Sequence, residues 1–275
     1  KHKNKIFCHS CNFQIAFAGE FWDSRIDNNY DPEFSKQWDL WSKGWLGRKD
    51  LLYGNSETDE DFQYILDTLG ISKDKLFNKR ILEIGFGTGK NLSHFFKYSN
   101  QVYGIDLVKP ITSYKLNPKS IVCGSLFSMP FDLGQFDIVV CQGVIHHTND
   151  VPLAFKKVAD QIAPGGLLFL YIYEKESPKN QKIRKLFPFS WAYPLIIRLG
   201  LSHFIGLILS LRKVLQKRSL KIYQLHHGNY TLGAFDTLSP RWVQTFDPKE
   251  ILSWFQKNMI VGKRISPSIY IGKKH

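Results

Sequence analysis

Residues 80–90, RILEIGFGTGK, constrain the fold of this chain more than any other stretch. Ile81, Leu82 and Ile84 form an apolar run of the kind buried in a parallel sheet, and glycines then fall at every second position, Gly85, Gly87 and Gly89. Glycine at such a turn lets the backbone take left-handed dihedrals and lets a ligand approach main-chain atoms. The pattern is G-x-G-x-G rather than the G-x-G-x-x-G of dinucleotide enzymes, because Lys90 stands where the third glycine would be. An acid, Glu83, precedes the first glycine by two positions. A second apolar run at 102–105 ends in Asp106, about twenty residues past that glycine, where a ribose diol needs a bidentate acceptor. The turn therefore suits a nucleotide or nucleoside, with an ordinary strand-to-helix loop as the plainer alternative.

The rest of the pattern alternates. Strands are expected at 80–84, 101–105, 120–123, 136–141 and 167–173, with helices at 90–98 and 151–162. Such alternation predicts an α/β doubly wound sheet with ligands at the carboxyl ends of its strands. Residues 59–69 read as an amphipathic helix burying Phe62, Ile65, Leu66 and Leu69, and a later helix is capped near Asp247 and opened by Pro248. Two more strands are expected at 260–265 and 268–272.

ILEIGFGTGK at 81–90, YGID at 103–106, GSLFSMPF at 124–131, FDIVVCQGVIHHTND at 136–150 and IAPGG at 162–166 occur in this order. Together, over residues 77–173, they resemble the signature of class I S-adenosylmethionine-dependent methyltransferases. The resemblance implies a Rossmann-like, seven-stranded, mostly parallel sheet with an antiparallel last strand. It also implies that the main chain of the Gly85, Gly87 and Gly89 turn meets the methionine part of S-adenosyl-L-methionine and that Glu83 orders the turn. Asp106 would take the ribose, Leu107 one face of the adenine, and Leu126 would pack on the ring. Ser125 stands where the family usually places an acid that reads the adenine amino group; a hydroxyl accepts one such bond. Gln142 and Gly143 would lie beneath the methionine carboxylate and amine. His146 and His147 fall at the mouth of the implied site, as a catalytic base or in a structural role.

The function implied is methyl transfer to an oxygen, nitrogen or carbon of a small-molecule or lipid-like acceptor. Two rivals stand beside it: an RNA methyltransferase that uses a basic segment against phosphates, and a cofactor-binding protein without turnover, for which Ser125 speaks. No Asn-Pro-Pro-Tyr signature is present.

The net charge of +13 is unevenly placed: residues 177–235 contain ten Lys or Arg and no acid. Within them, 179–221 offers two apolar and basic helical stretches, expected to cover the acceptor pocket or to lie on a membrane surface. The expected organisation is a zinc-ribbon-like segment at 1–20, a helical cap at 21–76 rich in Trp and Tyr, a core at 77–178 and 236–275, and the insertion at 179–235. Cys8 and Cys11 have the C-x-x-C spacing of one zinc knuckle, half of a four-ligand site, or are two free thiols. The four cysteines form no disulfide framework, which suits a reducing, cytoplasmic compartment, with or without peripheral attachment to a membrane. The chain begins without Met, and whether it is a fragment of a longer protein is not written in the sequence. Neither the acceptor nor the oligomeric state is written in the sequence.

Overall fold

The computed structural model describes residues 5–7, 14–24, 36–37, 40, 43, 45, 59–108, 116–132, 134–175, 185–187, 189–215 and 230–275. The chain divides into two compact units, one comprising Lys1–Tyr30, Phe62–Lys175 and Gln244–His275, the other Asp31–Asp61 and Glu176–Val243.

The first unit is built on one ten-stranded sheet. Its strands are β1 (Lys5–Phe7), β2 (Gln14–Phe17), β3 (Trp22–Asp23), β4 (Arg80–Ile84), β5 (Gln101–Asp106), β6 (Ile121–Cys123), β7 (Phe136–Gln142), β8 (Ile162–Tyr171), β9 (Ile260–Ser266) and β10 (Ile269–Lys274). They lie in the order β1-β2-β3-β6-β5-β4-β7-β8-β10-β9. From β6 to β9 this is the seven-stranded arrangement expected, with β4, β5, β6, β7 and β8 parallel and β10 antiparallel to both neighbours.

The count differs from the expected seven because residues 5–23 add three strands. β1, β2 and β3 form an antiparallel meander, and β3 then pairs in parallel with β6, Trp22 opposite Val122 and Asp23 opposite Cys123. Trp22 donates its indole N–H to the Lys119 carbonyl at 3.1 Å, and its ring lies 5.2 Å from that of Phe17. β8 begins earlier than expected, at Ile162, which pairs with Phe136 before an irregularity resets the register at Ile138 and Leu167.

Strand alternation divides the apolar residues between two cores. Leu82, Ile84, Ile105 and Val139 face one side with Phe155, Val158, Trp254 and Phe255. Those last four come from α3 (Val151–Asp160) and α6 (Pro248–Lys257). Ile81, Val102 and Phe169 face the other side with Phe62, Leu66, Leu92 and Phe95, carried by α1 (Glu60–Leu69) and α2 (Lys90–Tyr98). Asp150 caps α3 and Asp247 caps α6, each accepting a backbone N–H of the first turn, with proline second in α3 and first in α6. The capping placed at Asp247 by sequence is thus the one observed.

The second unit contains α4 (Leu195–Leu215) and α5 (Tyr230–Leu238). They approach closely at Gly206, where a Cβ would lie 2.5 Å from Thr231 Oγ1. Ser190 Oγ donates to the Leu238 carbonyl, the Arg198 guanidinium lies over the Phe235 ring, and Gln37 Nε2 donates to Asp236.

Candidate active site

Four chain segments converge at the carboxyl ends of β4, β5, β6 and β7. Gly85, Gly87 and Gly89 take φ values of 74°, 53° and 77°, a left-handed path closed to most side chains. A Cβ on Gly85 would lie 2.1 Å from Val144 Cγ2, so this glycine is required by space as well as by dihedral. The Gly85 N–H donates to the Ile105 carbonyl at 2.7 Å, and the Gly87 N–H donates to Asp106 Oδ2 at 2.8 Å. The turn is therefore tied to β5 at two successive points.

Asp106 also accepts the Val108 N–H on Oδ1 at 3.1 Å. Both carboxylate oxygens accept backbone bonds and keep further lone-pair capacity for a diol. Burial pushes this carboxyl up to about 6, against the pull of the Gly87, Val108 and Leu107 N–H groups. Glu83 is almost fully buried. Burial, and secondarily the charge of Asp106, pushes Glu83 up to about 8, opposed by hydrogen bonds from Asn91 and the Leu92 N–H. Its second oxygen, Oε2, has no hydrogen-bond partner. Asn91 in turn donates to Gln142 Oε1 at 3.0 Å, which joins the ends of β4 and β7 through the first turn of α2.

Ser125 caps the short turn Leu126–Ser128, its Oγ accepting the Phe127 N–H at 3.2 Å. Leu126 is buried beside it, and Leu107 is partly buried and accepts the Cys123 thiol on its carbonyl at 3.6 Å. Gly143 has φ 71° and donates its N–H to the Tyr171 carbonyl at 3.1 Å.

His146 and His147 lie in the turn Ile145–His147 that follows β7. His146 is wholly buried and stacks on Tyr173, ring centroids 3.8 Å apart and planes at 24°, with the His147 ring 4.2 Å away. Neither His146 nitrogen has a hydrogen-bond partner. Burial, with the adjacent His147, holds its pKa well below the ordinary histidine value, so the ring is neutral at pH 7. Gln244 closes over this turn, its N–H donating to the His146 carbonyl and its side chain to the Thr148 carbonyl.

The structure thus brings Glu83, Gly85, Gly87, Gly89, Asp106, Gln142 and Gly143 to one end of the sheet, with Leu107, Ser125 and Leu126 on the adjoining β5 and β6 ends. Sequence reasoning missed Asn91, Val144 and Tyr173. Asn91 was within reach, as a polar residue directly after the turn, but Tyr173 is joined to His146 only by tertiary packing. Cys8 and Cys11 lie outside the described residues, and among the described residues no cluster of three or more His, Cys, Asp or Glu could hold a metal.

A glycine turn between a buried acid and a ribose-type acid, on a sheet of this strand order, defines the class I S-adenosylmethionine-dependent methyltransferase fold. Residues 82–170 match the family described as a methyltransferase domain. The chain is 35% identical over 112 residues to Probable tRNA methyltransferase 9B of Mus musculus, covering 38% of this chain and 24% of that protein. It is 31% identical over 108 residues to Uncharacterized methyltransferase YcgJ of Bacillus subtilis, covering 36% of this chain and 43% of that protein. It therefore spans less than half the length of either relative. Among solved structures, one chain of the complex between the Haloferax volcanii Trm112 methyltransferase activator and a methyltransferase shares the fold, with TM-score 0.51, 11% identity, and coverage of 90% and 99%.

The residues present fit the cofactor of this class. The left-handed glycine turn presents main chain rather than side chains beside Asp106, and Oε2 of Glu83 is a buried polar atom without a hydrogen-bond partner.

Proposed function

We infer that the chain transfers a methyl group from S-adenosylmethionine to an oxygen, nitrogen or carbon of a small-molecule or lipid-like acceptor. The observation that carries this is the pairing of Glu83, buried with an unbonded oxygen, with Asp106 across the glycine turn. Glu83 and the main chain of Gly85, Gly87 and Gly89 would hold the charged methionine end, with Gln142 and Gly143 beneath it. Asp106 would accept the ribose hydroxyls, and Leu107, Ser125 and Leu126 would receive the adenine. The cofactor supplies an activated methyl carbon when bound, so the chain's own task is to bind, to align and to exclude water. Alignment of this kind is worth roughly 7–11 kcal/mol.

If the acceptor must lose a proton, His147 is the better placed of the two histidines. His146 is enclosed, and its basicity is depressed by burial and by its neighbour. His146 with Tyr173 then forms a wall that orients His147. Gln244 holds the turn through the His146 and Thr148 carbonyls.

A tRNA acceptor is the second reading, favoured by the similarity to the murine Probable tRNA methyltransferase 9B. The basic insertion is a weaker support for it, because the outward face of α4 is apolar rather than phosphate-binding.

Isothermal calorimetry with S-adenosylhomocysteine, followed by transfer of labelled methyl from S-adenosylmethionine to lipid extracts, quinols and bulk tRNA, tests the reading. Cofactor binding with label in the organic fraction is the expected result. Label in tRNA alone would replace the acceptor class, and binding without any transfer would leave a cofactor-binding protein.

A further inference from the structure

α4 is amphipathic in the inverted sense. Ile196, Ile197, Phe204, Leu207 and Ile208 are between 47% and 73% exposed, whereas Arg198, Leu199, Ser202 and Gly206 are turned inward. At about 100° per residue the five exposed side chains fall within an arc of roughly 120°, and the inward four occupy the opposite arc. The inward polar groups are accommodated: Ser202 Oγ donates to the Arg198 carbonyl, and Arg198 lies over Phe235. Helix α4 thus turns these polar groups inward and offers its apolar side outward. Phe189, just ahead of the helix, is 67% exposed as well.

An exposed apolar stripe of this size marks a surface that is covered in use. Its setting says by what. The surrounding segment, residues 177–235, carries ten Lys or Arg and no acid, and Lys185, Arg212 and Lys213 flank the stripe in sequence. A second copy of the chain would bring two such basic segments, on chains of net charge +13, against each other. A nucleic acid would satisfy the charge and leave the Ile and Leu face in water. An anionic phospholipid surface satisfies both, the acyl boundary taking the apolar stripe and the headgroups the flanking cations. No helix among the described residues is long and apolar enough to cross a membrane, so the contact is one of lying in the interface.

We propose that α4 docks the protein on an anionic bilayer through the face formed by Ile196, Ile197, Phe204, Leu207 and Ile208. The proposal stands on this surface alone and is independent of the methyl-transfer reading, although it suits an acceptor drawn from the lipid phase.

The test is co-sedimentation of the whole chain with vesicles of phosphatidylcholine containing about one third phosphatidylserine, with S-adenosylhomocysteine affinity and thermal midpoint measured in parallel. Binding is expected at low salt and should fall several-fold near about 1 M salt, where the screening length is about 3 Å. The pair Phe204→Ser and Leu207→Ser should lower vesicle partition at least about tenfold, with cofactor affinity and thermal midpoint unchanged because both side chains are exposed. Should that pair fail to fold, Ile196→Ser, at the most exposed position, decides by the same partition measurement. Absence of sedimentation, or partition unchanged in the variants, overturns the proposal. So does a dimer in light scattering that the same substitutions dissolve, since the face would then belong to a second copy.

Discussion

The Gly87 N–H points at the carboxylate of Asp106 and binds Oδ2 at 2.8 Å, so the residue we propose for the ribose also fixes the glycine turn. Asp106→Ala removes both roles. It should weaken S-adenosylhomocysteine binding by about 1–3 kcal/mol, the range for hydrogen bonds to a charged group and for a donor left unpaired. Asp106→Asn keeps one acceptor oxygen and should lose less. Titration calorimetry on the two variants checks the order; equal losses would mean that Asp106 acts on the turn only.

Glu83 gives a pH signature. Its ordinary value is 4.5 and its folded value about 8, so between those values the folded chain holds a proton that the unfolded chain releases. Stability should therefore fall as pH rises through that window and level off above it. Glu83→Gln cannot ionise and should be more stable than the natural chain at pH 8, on the order of 1–3 kcal/mol, with no gain near pH 4. Denaturant titrations at the two pH values measure this. A variant equally destabilised at both would show that the carboxylate is charged and paired in the folded state.

Glu174 behaves oppositely. It is buried just past β8, where Arg264 binds both its oxygens at 2.8 and 2.7 Å and the Tyr270 hydroxyl donates to it. Burial pushes this carboxyl up, but the hydrogen bonds from Arg264, Tyr270 and the Ser268 N–H outweigh it and leave the group below its ordinary 4.5. Its contribution is thus present above that value and lost as pH falls through the folded one. Arg264→Met leaves a buried carboxylate without its partner and should cost about 3–5 kcal/mol at pH 7, less in acid. Glu174→Gln with Arg264→Met should recover part of that loss, which a double-mutant cycle in urea measures.

The core strands were legible because their apolar runs are bounded by glycine, and the turn because its acids and glycines are consecutive in sequence. β3 was not: two residues, Trp22 and Asp23, are too short to show a period, and their pairing depends on a partner strand about a hundred positions away. The Glu174–Arg264 pair was hidden for the same reason, being separated by 90 positions. On α4 the apolar stripe was visible, but its direction was not, because the burial of Arg198 depends on packing over Phe235 of α5. The cofactor residues were named from a resemblance whose motifs are local. Asn91, Val144 and Tyr173 escaped because each acts through a neighbour from another segment.

The attachment of the N-terminal strands to the core includes one tight contact besides the β3–β6 pairing. Ser24, buried at the end of β3, donates its N–H to the Cys123 carbonyl at 2.9 Å, and a Cβ on Gly124 would lie 2.0 Å from Ser24 Oγ but 3.4 Å from Ser24 Cβ. Gly124→Ala should therefore cost about 1–3 kcal/mol by overpacking, and it should also weaken cofactor binding, since Gly124 leads directly into Ser125 and Leu126. Ser24→Ala removes the clashing oxygen at the cost of one hydrogen bond, about 1 kcal/mol or less. The two together should be more stable than Gly124→Ala alone, because the remaining Cβ distance is ordinary contact. Thermal unfolding and S-adenosylhomocysteine calorimetry on the two single variants and the pair measure the coupling. Strict additivity would mean that Ser24 does not sit against Gly124.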